Sequence, residues 1–344
     1  MKSLLRLLLK TQLKTNFSKV NRTVGGFTLL ELLIAMIMTF LILTPLLAFV
    51  VDILNTDRKE QVKSNTEQEI QASLDFIAQD LGQAVYIYDN EGINTGTENI
   101  GGSLPGASAG TPILVFWKRQ LLKKVLPTLA TATNCTPNDP TCNDTYVYSL
   151  VAYYLKQDTN AIWCQPAGGT CPARITRYQI QDGVFDPRTT TPTYLVTPTP
   201  NGSNVPFPVF SLSLSGANLE ARMNQWPRQE DNGAKAAVAF PGETVLVNYV
   251  DTSAPVAIGT ECQQALGNPT DQSNQPIPEN KLRVADATKI GFYACVDSSK
   301  TVARVFIRGN AMRKMQNNAP YSSANAAFFP TASIQVQGLS ELAQ

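Results

Sequence analysis

Histidine is absent from all 344 residues. That removes the side chain that most often shuttles protons near neutral pH and ligates metals, and with it a serine triad of the usual kind. No GxxxxGK[ST] segment is present to cradle a nucleotide phosphate. Charge is scarce, with Asp, Glu, Lys and Arg making up 16% of the chain, and it is unevenly spread. Lys2, Arg6, Lys10, Lys14, Lys19 and Arg22 all precede the first acidic residue, Glu31, leaving 22 basic against 27 acidic residues in the remainder. A net-acidic bulk carries no electrostatic footprint for nucleic acid, so no nucleic-acid partner is expected. The carboxylates follow no recognisable metal pattern, and the chain reads as non-enzymatic, with no cofactor and no metal. An apolar share of 43%, with 21 glycines and 22 prolines, excludes both a disordered chain and a collagen-like repeat.

What is there begins with a long apolar run. From Leu32 to Val51 no residue is charged, and at ~1.5 Å per residue this makes about 30 Å of helix, the hydrocarbon thickness of a bilayer. Basic residues lie before it, and Asp52, Asp57, Arg58, Lys59 and Glu60 follow. The positive-inside rule then puts the N-terminus in the cytoplasm and everything after Asp52 outside. This predicts a single-pass membrane protein with an extracytoplasmic bulk. A secretory signal peptide has a shorter apolar region and a small-residue cleavage site, whereas this run ends in Val50-Val51-Asp52. Glu31 stands at the front of the run, where an ionised carboxylate is costly unless compensated.

Gly26-Phe27-Thr28-Leu29-Leu30-Glu31, followed by the apolar run, resembles the cleavage and methylation signature of type IV pilins and pseudopilins. The resemblance implies that residues 1–26 are a basic cytoplasmic leader, removed after Gly26 by a prepilin peptidase that is also an N-methyltransferase. Phe27 then becomes the methylated first residue, and Glu31 pairs with the freed amine of a neighbouring subunit. Opposite charges attract strongly in low dielectric, and each removes the other's unpaired-charge penalty. Pro45 lacks a backbone donor and should kink or loosen the helix. In the family such prolines lie near segments that melt or bend on assembly, although Pro45 comes earlier than its usual position in major pilins. The resemblance would also place the protein in the inner, cytoplasmic membrane with a periplasmic bulk.

Beyond the membrane-spanning half, residues 27–51, the apolar positions Ile70, Leu74, Ile77, Leu81, Val85 and Tyr88 recur at steps of three and four. That is the stripe of an amphipathic helix, and it predicts a second half over residues 52–88. The whole rod, 27 to about 88, would approach ~93 Å. A head over residues 89–344 follows. Strands are predicted at Ile113–Trp117, Tyr146–Leu155, Ile175–Ile180, Val209–Leu214, Thr244–Val250, Ile290–Val296 and Val302–Ile307, between turn-rich stretches. Lys118, Arg119, Lys123 and Lys124 interleave with Leu121, Leu122, Val125 and Leu126 as a short basic amphipathic segment. The spans Asp186–Pro208 and Thr260–Pro278 read as long loops. The expected class is therefore α+β: a long N-terminal helix packed on a mainly antiparallel sheet, in a pilin-like layout.

Six cysteines group by proximity as Cys135 with Cys142, Cys164 with Cys171, and Cys262 with Cys295. In an extracytoplasmic compartment these read as disulfides, the second closing a hairpin. Zinc is the alternative, with spacings wider than a zinc knuckle and no histidine to help. Tyr153, Tyr154 and Trp163 are candidates for a sugar-stacking surface or, as strand aromatics, for core.

A mature chain from Phe27 to Gln344 is large for a major pilin and resembles a minor pilin or pseudopilin. Asp52–Arg58, Glu67–Leu81, Ala84–Asp89 and Val305–Ala311 are similar to the hormogonium polysaccharide secretion pseudopilins of filamentous cyanobacteria. That resemblance implies a structural part in polysaccharide export and gliding motility. Its partners would be other pilins or pseudopilins, the assembly platform and ATPase, membrane lipid and extracellular polysaccharide. A minor pseudopilin of type II protein secretion, and a minor pilin of adhesion or DNA uptake, are the alternatives.

Overall fold

The structure is a computed structural model that describes residues 26–128, 135–136, 140–190, 193–199, 207–227, 238, 240–254 and 259–339. The leader expected over residues 1–25 lies outside them. The chain divides into two units, Met1–Arg58 and Lys59–Gln344.

In the first unit the described residues are almost entirely helical. Helix α1 (Leu29–Leu81) begins here and continues into the second unit. Every residue from Gly26 to Arg58 is exposed, including Leu29, Leu33, Ile37, Phe40, Leu47 and Val51. The helix is long and apolar enough to cross a membrane. The two threonines of the run hide their hydroxyls on the helix itself: Thr39 donates to Ala35 O at 2.7 Å and Thr44 to Phe40 O at 2.8 Å. The helix runs through Pro45 without interruption.

The second unit holds the rest of α1, whose buried positions Thr66, Ile70, Ser73, Leu74, Ile77, Asp80 and Leu81 repeat at helical spacing. One antiparallel sheet has the order β1-β2-β3-β4-β7, built from β1 (Ala84–Tyr88), β2 (Thr111–Pro127), β3 (Cys142–Lys156), β4 (Ala173–Gln181) and β7 (Thr244–Val250). A small ribbon pairs β5 (Val184–Phe185) with β6 (Tyr194–Val196). The short helices α2 (Leu219–Met223), α3 (Glu261–Ala265) and α4 (Glu279–Leu282) lie in connections. A second antiparallel sheet has the order β11-β10-β9-β8, from β8 (Arg283–Ala285), β9 (Phe292–Asp297), β10 (Val302–Arg308) and β11 (Thr331–Gln337). The sheets are stitched by a bridge between Val250 and Gly309, by Asp251 N–H donating to Arg308 O at 2.9 Å, and by the Arg308–Asp251 ion pair.

The first sheet is covered on both faces, so its inner strands carry unbroken buried runs rather than alternation. On β2, Ile113 to Lys118 are all buried. One face presents Phe116 and Lys118 toward the end of α1. The other presents Trp117, which packs edge-on against Phe210 at 5.2 Å and Trp226 at 5.5 Å.

The structure corrects several expectations. Helix α1 ends at Leu81, not near residue 88, and Ala84–Tyr88 is strand β1. Gly82 breaks the helix, and the strand after it is buried at every position, so Val85 and Tyr88 continued the helical spacing by coincidence. The basic segment 118–126 is not a separate element but the continuation of β2. Val209–Leu214 forms no strand: Phe210 instead anchors a turn against Trp117 and, at 5.0 Å, Tyr148. Strands β1, β5, β6, β8 and β11 were not anticipated, and β6 lies within the Asp186–Pro208 span expected to be a loop. The Thr260–Pro278 span contains α3 and a bridge between Thr270 and Pro276.

Candidate functional site

The residues singled out from sequence in the first unit are Gly26, Phe27, Glu31 and Pro45. Gly26 is the first described residue, and a β-carbon built on it would meet nothing within 4 Å. Packing among the described residues therefore does not require glycine there. Phe27 is 83% exposed. Thr28 is the residue before α1 and Glu31 the third helical residue. Glu31 N–H donates to Thr28 Oγ1 at 3.3 Å, while the Glu31 carboxylate accepts from Thr28 N–H at 3.4 Å and from Thr28 Oγ1 at 3.3 Å. This is a capping box, a reciprocal arrangement that satisfies two helix-terminal donors, with the carboxylate at the positive end of the helix dipole. The pattern Thr28-Leu29-Leu30-Glu31 was legible as such a box, and the sequence reading missed it. It gives Glu31 a local partner in the isolated chain, through contacts at the long end of hydrogen-bond range. Among the described residues no cation pairs with this carboxylate.

In the second unit a buried charge cluster fastens α1 to the sheet. Asp80, in the last turn of α1, receives Lys118 Nζ of β2 at 2.8 Å, Tyr153 Oη of β3 at 2.7 Å and Arg177 Nε of β4 at 2.7 Å. Burial by itself would raise the Asp80 carboxyl, but Arg177 and Lys118 outweigh it and hold it below the ordinary carboxylate range. Arg177 also lies over the rings of Phe76 and Tyr153, with its guanidinium carbon 5.7 and 5.9 Å from their centroids. Gly309, just past β10, lets backbone approach α1 directly: a β-carbon there would lie 2.7 Å from Ile70 Cδ1 and 2.8 Å from Thr66 Cγ2.

Disulfides join Cys135 to Cys142, Cys164 to Cys171 and Cys262 to Cys295, so none of the six sulfurs is left as a thiolate for zinc. Among the described residues no group of three His, Cys, Asp or Glu side chains is arranged to hold a metal. The Cys164–Cys171 loop is a series of turns rather than a hairpin, because its carbonyls converge on one buried guanidinium. Arg313 donates to the carbonyls of Thr170 at 2.9 Å, Pro166 at 3.0 Å, Gln165 at 3.1 Å, and Gly168 and Gln316 at 3.2 Å. Nothing in the sequence around Arg313 marks it for this role.

The aromatic candidates separate. Tyr153 and Tyr154 are fully buried, with hydroxyls bonded to Asp80 and to Pro105 O, and so belong to the core; Trp163 is half-buried, with Arg174 over its ring. They do not make a common stacking surface. No protein-family model, curated protein or solved structure matches the chain.

Proposed function

We propose that the protein is a non-enzymatic minor pilin or pseudopilin of a type IV pilus-like machine, anchored through α1, and that it supports polysaccharide secretion and gliding motility. The observation that carries the reading is an exposed apolar helical segment with one carboxylate in its first turn, preceded by a glycine that packing among the described residues does not require. Apolar side chains without partners in their own chain are buried by lipid or by neighbouring copies. A carboxylate satisfied only by long local hydrogen bonds is available to an incoming amine, which forms the stronger, charge-assisted contact. Prepilin peptidase would cut after Gly26, the amine of Phe27 would seat on Glu31 of an adjacent subunit, and the second unit would be presented outside the membrane.

The test is processing and assembly in cells that carry a prepilin peptidase. Gly26→Ala is expected to leave the leader attached, read as an unshifted band on an immunoblot. Glu31→Leu is expected to be cleaved yet fail to enter filaments. Deletion of the gene should reduce secreted polysaccharide and gliding. Normal leader removal in Gly26→Ala overturns the proposal, because among the described residues the added methyl group meets nothing that could mask the result.

A further inference from the structure

A cavity of about 510 Å³ opens in the second unit between the β1 exit, α2, the 270–278 loop, α4 and the end of β9. Four carboxylates line it, those of Asp89, Glu220, Asp271 and Asp297, together with one ammonium, that of Lys281. Lys281 is already shared: its Nζ lies 2.7 Å from Glu220, 2.8 Å from Glu91 and 3.9 Å from Asp89. Asp271 is turned partly onto its own loop, accepting from the N–H groups of Ser273 and Gln275 at 2.8 Å. Asp297 accepts from Ser299 N–H and Oγ, and Lys300 lies 3.7 Å away at the surface. Asp89 is buried and accepts from Gly92 N–H and Ser298 Oγ, both at 3.0 Å. The anions thus outnumber the cations around the recess, which gives it a net negative potential.

A second observation is independent of that charge count. A smaller recess of about 140 Å³ shares Asn218, Glu220, Gln272, Ser298 and Ser299 with the main cavity and is also lined by Tyr86. Tyr86 is 1% exposed, and its buried hydroxyl has no partner of hydrogen-bond geometry, with the Ser298 side chain close by. A buried polar atom left unpaired is costly and marks a place where a ligand can complete the hydrogen bonding. The lining also includes the apolar residues Pro276, Ile277, Pro278, Leu282 and Val296.

We propose that this cavity and the adjoining recess together bind an aliphatic primary ammonium, its methylene stem along Pro276–Pro278 and Leu282 and its head at Glu220, the carboxylate that lines both, between Asp89 of the cavity and the Tyr86 hydroxyl of the recess. An ammonium has three donors and no acceptor, which suits a site of carboxylates and an acceptor hydroxyl, and its stem suits apolar lining residues. The state of Asp89 agrees with an unmet need for a cation: burial and the nearby Glu220 push its carboxyl up to about 6, against the opposing effects of Gly92, Lys281 and Ser298. The same chemistry has two sources, a lysine side chain of a partner protein and a free alkyl amine. The site lies wholly in the second unit, and the inference stands apart from the reading of the N-terminal segment.

The test is calorimetric titration of the full chain, in an uncharged polyoxyethylene detergent, with three probes: Nα-acetyl-lysine methylamide, its Nε-acetylated form, and cadaverine. Saturable one-to-one binding of the blocked lysine assigns a protein partner, and binding of cadaverine alone assigns a free amine. The Nε-acetylated form should not bind. Asp89→Asn is expected to weaken binding about tenfold or more, as loss of a charge-assisted contact does. Since Asp89 is buried and that variant can fail to fold, Glu220→Gln, at the partly exposed rim, should give a loss of the same order with an unchanged circular dichroism spectrum. Absence of binding by both amines, equal binding of the acetylated probe, or unchanged affinity in a folded Glu220→Gln overturns the proposal.

Discussion

Asp80→Ala should be among the most damaging single substitutions in the second unit, because one carboxylate there serves three strands. Its removal leaves Lys118, with a side chain 8% exposed, and Arg177, at 15%, without the counter-charge that both now share. Breaking a buried ion pair from one side costs roughly 3–5 kcal/mol, and the Tyr153 hydroxyl loses its acceptor as well. Against a domain stability of roughly 5–15 kcal/mol, that is a large fraction. The assay is denaturant unfolding of the detergent-solubilised chain, followed through the emission of the buried Trp117 and Trp226. A pH series gives an independent reading. The folded Asp80 carboxyl is held below its unfolded value. Its stabilisation is therefore fully present above the ordinary carboxylate pKa of about 4 and is lost as pH falls through the folded value. Asp80→Asn, similar in size but uncharged, should be destabilised near neutral pH and should lose less stability than the parent on acidification. A cost below about 1 kcal/mol, typical of a solvent-exposed pair, or an unchanged acid slope in Asp80→Asn, would refute the claim that this charge cluster fastens the helix to the sheet.

Gly309→Ala places a methyl group against Thr66, whose hydroxyl is tied to Val62 O at 2.8 Å, and against the more yielding end of Ile70. Overpacking of this kind costs about 1–3 kcal/mol, read as a lowered unfolding midpoint; a neutral result would show that α1 can move away freely. Arg313→Met removes the donor from five carbonyls. It should lower stability by at least ~3 kcal/mol, since each buried acceptor left unpaired costs about 1–3 kcal/mol. It should also speed reduction of Cys164–Cys171 by added dithiothreitol, and an unchanged reduction rate would count against the guanidinium as the organiser of that loop.

Legibility followed the range of the interaction. The strands Thr244–Val250 and Val302–Ile307 were read with little or no error, because their bounding turns and β-branched content are local signals. The end of α1 was misread because a strand buried on both faces has no alternation to distinguish it from a continuing helical stripe. The Val209–Leu214 segment alternates as a strand should, yet it has no ladder among the described residues, and its aromatic side chain is used as a plug instead. At the N-terminal segment the residue types were legible while the capping box, equally local, was overlooked in favour of a partner in another subunit.

By itself the sequence determined a helix long and apolar enough for a bilayer, a carboxylate in its first turn and an antiparallel head, because these depend on composition and on neighbours a few residues away. The cysteine pairs were legible for the same reason, two of the three closing over a separation of only seven residues. The tertiary structure decided where each buried charge finds its counter-charge. Asp80 meets Lys118, Tyr153 and Arg177 across 38, 73 and 97 residues of sequence, and Arg313 reaches a loop more than 140 residues before it. The negative recess beside Tyr86 is likewise assembled from five separate segments. An ionised or polar group taken out of water must be matched in space, and no local pattern in the chain records which distant residue will supply the match.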